Sequence, residues 1–480
     1  MWKGFLLGGL LVVLLSATAT ATAVLLEFDK ASGEIGRHSK IAKEVAPELK
    51  RADVGGPQTI MILGSDHRST EPGKAGNSDT ILLVRLDPDK QATAMMSVPR
   101  DLKVDLQLPN GKIKFGDKIN DAYAEGGPRL AVKTVSETLG IDINHVVDIN
   151  FGGFRHAVNR IGCVYTDVDR RYFNDNLGPG APYAQINIKP GYQKLCNYDA
   201  LAYVRYRHTD TDIVRAARQQ DFLRQVKSQL SASKVFDDRD ELIKIFGRYA
   251  DTDIHGTRTL VEMAKLVAFS SGRPIREVHF RSNVGPSYVT VTPLQMVENR
   301  QEFLNEDVAG SPVSHPKRPP PTPRATSKRQ RGTKIPGGLE RAATAGQDQG
   351  IVAARKAGFP FYYPTLRRAG SVYDGNPRTY IIKDLKRRPH RAYRMVLDKG
   401  TLGDFYGIQG MTWKDPPILQ KPTGKQTVSG KRLLLYSDGG RLRLVAWRTK
   451  RAVYWVSNTL TLSLNNDQML AIAGSLRTFK

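Results

Sequence analysis

An uncharged, mainly apolar run, residues 4–26, opens the chain, with Lys3 before it and Glu27 and Asp29 after it. About 20 such residues cross a hydrocarbon layer as a helix, and basic-before, acidic-after flanks predict the amino terminus inside and the bulk outside. A cleaved signal peptide is the competing reading, because residues 10–15 have the form of an h-region and Ala21-Thr22-Ala23 that of a cleavage site. Apolar residues resume at Val24-Leu25-Leu26, which favours a retained anchor over residues 1–29. Mixed-charge residues 30–54 read as a stalk. Residues 59–63 then form a short apolar run ending at Gly64, and residues 80–86 and 92–98 predict a hairpin around Asp87-Pro88-Asp89. Helical spacing marks 130–139, stopping at Gly140, and 212–230, with a strand pattern at 145–149 between them. Strands alternating with helices predict an α/β domain, an α/β/α layering around a central mixed sheet, over residues 55–305.

Proline and basic residues then replace the periodic pattern. Pro312, Pro316, Pro319, Pro320, Pro321 and Pro323 lead into Lys328, Arg329, Arg331 and Lys334. Residues 306–339 therefore read as an extended, self-repelling linker. Beyond it, strand patterns at 380–383, 431–436, 441–447 and 452–456, turns at 438–440 and 448–451, and a closing helix at 466–476 predict a small α+β domain over 340–480. The aromatic residues Tyr362, Tyr363, Trp413, Trp447, Tyr454 and Trp455 of that region either stack on sugars or, as is commoner for short strands, fill its core.

Composition sharpens this outline. With 40% hydrophobic and 25% charged residues, the chain is globular, which excludes a wholly disordered or multi-span membrane protein. Its net charge of +25 is unevenly placed: residues 1–309 carry 40 basic and 38 acidic side chains, and residues 310–480 carry 32 and 9. A basic segment expects a polyanion, and nucleic acid, anionic lipid and acidic wall polymer satisfy that equally. An exported topology disfavours a DNA-binding regulator. On charge alone, removal of 310–480 should weaken salt-sensitive wall attachment and leave the rest intact. The two cysteines, Cys163 and Cys196, are an even pair that suits a disulfide in an exported chain, closing a loop worth about 3–4 kcal/mol; two buried thiols are the alternative.

Candidate chemistry gathers in loops at strand ends, where α/β folds build sites. These are Gly64-Ser65-Asp66-His67-Arg68, Asn77-Ser78-Asp79-Thr80, and Ser97-Val98-Pro99-Arg100-Asp101. A second group runs Ala202-Tyr203-Val204-Arg205-Tyr206-Arg207-His208, followed by Arg215, Arg218, Gln219 and Gln220. Arg205 and Arg207 point the same way if extended, whereas Arg215, Arg218 and Gln219 share a helical face. Carboxylates with several guanidiniums suit a diphosphate: hard oxygens hold Mg²⁺ and planar guanidiniums grip phosphate oxygens. Turn, capping and surface ion-pair roles explain each residue singly.

The order of these pieces, together with Asp117-Lys118-Ile119-Asn120-Asp121-Ala122-Tyr123, resembles the LytR-CpsA-Psr family over about residues 58–231. That resemblance implies a membrane-anchored, extracytoplasmic phosphotransferase that moves a glycopolymer from a polyprenyl-diphosphate carrier to peptidoglycan, at the muramic acid 6-hydroxyl. By it, Asp66 and Asp79 would hold Mg²⁺, and Arg100, Arg205, Arg207, Arg215 and Gln219 would bind the diphosphate, with Arg68, Lys118 and Arg218 as neighbours. Asp101 is the candidate acceptor of the hydroxyl proton. Asp117 stands where the family pattern has asparagine. Hydrolysis of the same diphosphate, or a non-enzymatic surface protein whose basic end binds wall polymer, are the competing readings; no nucleic acid is expected. Apolar residues 130–135 and 260–269 either line a lipid tunnel or belong to the core.

Overall fold

The computed structural model describes residues 33, 41–51, 53, 55–65, 78–90, 93–177, 185–206, 209–229, 248–256, 275–304, 335–400, 403–438 and 440–479, with scattered positions from 241 to 266. The expected anchor at 1–29, most of the linker, and residues Asp66, Arg68 and Arg207 lie outside them. Among the described residues no helix is long and apolar enough to cross a membrane. Two compact units result, Met1–Ile161 with Ala232–Leu304, and Gly162–Ser231 with Asn305–Lys480.

The first unit is built on a six-stranded mixed sheet. Its order is Ala250–Thr252, His145–Asn150, Gln58–Ser65, Ser78–Leu86, Thr93–Val98, Ile275–Val278. The hairpin predicted around residues 87–89 is present, with Ile81 opposite Val98. Parallel pairing joins Gln58–Ser65 to His145–Asn150, and Ile275–Val278 to Thr93–Val98. The period-two alternation of the first strand explains its place: Met61 and Leu63 enter the main core, and Ile60 packs on the opposite side with Val84 and Val147. Leu130, Ala131, Val132 and Val135 of helix Asp121–Leu139 lie in that main core, so they pack protein. The helix is broken at Gly126 and Gly127, and Pro128 begins its second part, where a missing N–H costs nothing. It ends where expected, with Gly140 in the left-handed conformation that terminates many helices.

The second unit centres on an antiparallel sheet of eight strands. The order runs Val372–Tyr373, Pro389–Asp398, Phe405–Met411, Val453–Ser457, Arg441–Arg448, Lys431–Asp438, Gly424–Val428, and Arg378–Lys383 pairs separately with Pro389–Asp398. Helices Ala343–Ala357 and Asn466–Ser475 cover one face, against Tyr393, Met395, Leu397, Tyr454 and Val456. The other face receives residues from much earlier in the chain. The ribbon of Val164–Val168 and Gly191–Leu195 lays Tyr165 and Tyr192 against Trp413, Trp455 and Tyr436. Three cross-strand neighbours, Arg394, Gln409 and Trp455, hold that ribbon. Arg394 pairs with Asp167 at 3.1 Å, Trp455 Nε1 donates to the same carboxylate at 2.9 Å, and Gln409 accepts from Tyr192 N at 3.3 Å. Trp413, Trp447, Tyr454 and Trp455 are all buried, so the core reading of these aromatics applies. Cys163 and Cys196, which flank the ribbon, are joined in a disulfide.

Candidate functional site

In the first unit the chemistry begins where the ladder is interrupted. Gly64 pairs with Thr80 but Ser65 pairs with Ser78, so Asp79 is the extra residue of a bulge, a device that re-aims a strand beside a site. Asp66 follows Ser65 directly in the chain. Beside this strand end, the buried Tyr123 hydroxyl donates to the Asp148 carboxylate. Burial first, then the Asp148 charge, holds the Tyr123 phenol well above its usual range, while a hydrogen bond with Ser65 acts the other way. Tyr123 lies within a motif noted above; Asp148, in a strand that reads as buried, carries no signal in the sequence.

Arg100, Asp101 and Lys118 are brought together on the hairpin Lys103–Gln107 and Ile113–Lys118. Asn120 N donates to Arg100 O and Ile119 N to Leu102 O, folding the end of the hairpin back onto the turn. Lys118 Nζ reaches Asp101 Oδ1 at 2.8 Å, and Arg100 Nε lies 3.7 Å from the same oxygen. Lys103 and Lys118 both stand over the Tyr288 ring, at 5.6 Å and 5.8 Å from its centroid, a distance at which the ring face attracts a cation. Asp117 pairs with Lys114 at 2.5 Å. That hydrogen bond holds the Asp117 carboxyl below its usual range, whereas burial and the neighbouring Asp117 push Asp121 up.

In the second unit the arginines sit on two helices, Asn197–Arg205 and Asp212–Gln229. Arg205 is the last residue of the first, so the extended geometry considered for Arg205 and Arg207 does not apply to it. The reason lies downstream. The final carbonyls of a helix need donors. Gln219 Nε2 supplies one to Val204 O at 3.1 Å, and Arg218 Nη2 another to Tyr206 O. Arg215, Arg218 and Gln219 do share a helical face, and all three are buried. Arg215 pairs with Asp212 at 3.2 Å.

Arg218 is fully enclosed. Its Nη1 pairs with Asp210, which Arg170 Nη2 also meets at 2.5 Å. Tyr172, Tyr203 and Tyr206 stack around the two guanidiniums, with the Arg218 Cζ 4.8 Å from the Tyr172 centroid. Tyr172 in turn donates to Asp169 at 2.7 Å, and burial pushes the Asp169 carboxyl up. Arg218 thus holds both Tyr206 and Asp210, which flank Arg207 in the sequence. Arg170 and Asp210 escape sequence reasoning because each looks like an ordinary charged residue of a loop.

The mixed sheet with its helices defines the first unit as an α/β fold. The profile of the LytR_cpsA_psr family matches residues 22–302, more than half of the chain, and the chain belongs to that family. An uncharacterized protein of Staphylococcus aureus is 32% identical over 266 residues, 54% of this chain and 64% of its own. The polyisoprenyl-teichoic acid–peptidoglycan teichoic acid transferase TagV of Bacillus subtilis is 30% identical over 238 residues, 49% of this chain and 58% of its own. The chain thus spans less than two thirds of the length of these relatives. The crystal structure of B. subtilis TagV matches with a TM-score of 0.43 and 26% identity, covering 52% of this chain and 98% of that one.

Proposed function

We propose that this protein is a phosphotransferase that moves a glycopolymer from a polyprenyl-diphosphate carrier onto peptidoglycan, with the muramic acid 6-hydroxyl as acceptor. The observation that carries this reading is the family match over residues 22–302, which takes in every residue assigned to the diphosphate. The acceptor oxygen attacks the sugar-bearing phosphorus, the bond from that phosphorus to the bridging oxygen breaks, and polyprenyl phosphate leaves. Such transfers depend on alignment and on neutralising phosphate oxygens, which suits a site rich in arginine without a nucleophilic triad. Arg100, Arg205, Arg207, Arg215 and Gln219 bind the phosphates, with Arg68 and Lys118 beside them. Asp101 takes the hydroxyl proton, after its ion pair with Lys118 has opened.

Asp66 and Asp79 are hard oxygen donors of the kind Mg²⁺ selects; Asp66 follows Ser65 in the chain, and Asp79 is the extra residue of the bulge. When bound, Mg²⁺ would neutralise phosphate charge there. Residues 4–26 anchor the chain with its bulk outside the cell membrane, a location in keeping with the Cys163–Cys196 disulfide.

The test uses the full chain in detergent with Mg²⁺, a polyprenyl-diphosphate oligosaccharide and peptidoglycan fragments, products being read by mass. Linked product is expected, with Arg205→Ala slower by about 100- to 1000-fold, the range for losing one preorganised donor. Release of free polymer phosphate instead would identify a hydrolase, and unchanged turnover in Arg205→Ala would remove the assignment.

A further inference from the structure

The family's motifs end before residue 303, yet the second unit carries a groove built largely from residues beyond that point. Its volume is about 380 Å³, within the ~300–1,000 Å³ range of small-ligand sites. One wall is the ribbon, through Tyr165 and Lys194. The other is strand Arg378–Lys383 and the turn after it, through Arg378, Tyr380, Lys383 and Arg387. That strand pairs only with Pro389–Asp398 among the described residues, so its outer edge borders the groove.

Four of the lining side chains are cations, and the single carboxylate, Asp384, is committed to its own turn. Asp384 Oδ1 accepts from Lys386 N at 2.8 Å and Arg388 N at 2.9 Å. Its Oδ2 receives Arg388 Nε at 2.8 Å and His390 Nε2 at 3.1 Å. Arg387, in the same turn, has a left-handed backbone, a conformation that non-glycine residues adopt sparingly and that accumulates at ligand sites. The aromatic rings are equally fixed. Tyr165 donates to Lys383 O at 2.7 Å and Tyr380 to Tyr192 O at 2.9 Å, so both phenols are tied to main chain. Lys194 lies 5.5 Å from the Tyr165 centroid and Arg378 4.1 Å from that of Tyr380.

Four cations along one groove, two of them held over tyrosine rings, match a chain ligand that carries repeated negative charge. We propose that this groove binds a phosphodiester-linked sugar or polyol chain, namely a stretch of the glycopolymer remote from the diphosphate being transferred. The assignment rests on the transferase reading for the identity of its ligand, and on the geometry above for the existence of a site. Ile381 and Leu385 are exposed beside these cations, so a lipid surface is the competing occupant, and vesicle capture in the test below decides against the groove.

The probe is a short fluorescent glycerol-phosphate oligomer, titrated by anisotropy against the full chain in detergent. The double substitution Lys383→Glu and Arg387→Glu changes two exposed side chains and should weaken binding at least tenfold without altering thermal unfolding. Inorganic polyphosphate should compete at least tenfold less well than unlabelled oligomer, and neutral dextran should not compete. Unchanged affinity in the double variant overturns the proposal. So does equal competition by polyphosphate, or capture of phosphatidylglycerol vesicles that the same substitutions abolish. Oligomer binding without any transfer would defeat the transferase reading and leave the groove. Transfer with unaltered binding in the double variant would do the reverse.

Discussion

Arg218 is engaged wholly within the protein. Its guanidinium is wholly buried, paired with Asp210 and the Tyr206 carbonyl, and enclosed by tyrosine rings. Substitution to methionine would leave the buried Asp210 paired with Arg170 and short of one cation. Removing one member of such a buried network costs about 3–5 kcal/mol. The expected result for Arg218→Met is a fall in thermal midpoint of several degrees, with transfer lost in parallel with folded protein. A variant with wild-type stability and no activity would instead make Arg218 a direct ligand. Gln219 also makes a contact within the protein, its amide donating to Val204 O in the helix that ends at Arg205.

Among the elements, strand Phe405–Met411 illustrates a local sequence overruled by its neighbours. Two glycines weaken a strand on intrinsic grounds. Here they make room: a Cβ on Gly407 would lie 2.6 Å from Arg394 Cζ, and one on Gly410 would overlap the Tyr393 ring. Gly410→Ala should therefore cost about 1–3 kcal/mol by overpacking, measured by denaturant unfolding, while Gly440→Ala, with open space around it, should be near neutral. This also explains what could be read beforehand. The alternation and the turn at 438–440 revealed Lys431–Asp438 and Arg441–Arg448. The central strands Pro389–Asp398 and Phe405–Met411 stayed hidden, because one opens on Pro-His-Arg and the other is broken by glycine. In the candidate site, the i, i+4 spacing of Arg215 and Gln219 disclosed their helix. The helical end at Arg205 was illegible, since donors from the following helix decide it.

For the whole molecule, charge and packing divide the chain differently. By charge, residues 310–480 are a basic appendage to a nearly neutral remainder. By packing, they share a core with residues 162–231. The expectation that 310–480 can be removed cleanly does not hold, because Asp167, Tyr165 and Tyr192 would lose Arg394, Trp455 and Trp413. Truncation at residue 310 should make the segment 162–231 sensitive to limited proteolysis under conditions where the full chain resists. Equal resistance in the two proteins would show the early segment to be self-sufficient.

The bond between Asp167 and Trp455 spans 288 positions. At ~5–20 residues per second of synthesis, the ribbon is made roughly 15–60 s before the tryptophan that completes it. Throughout that interval two tyrosines and a carboxylate await their partners, and loop closure of this length is slow. The chain carries that exposure until its last third is made. Its early segment therefore has the greatest need of protection, by a chaperone or by its own disulfide, while the remaining third of the protein is still on its way.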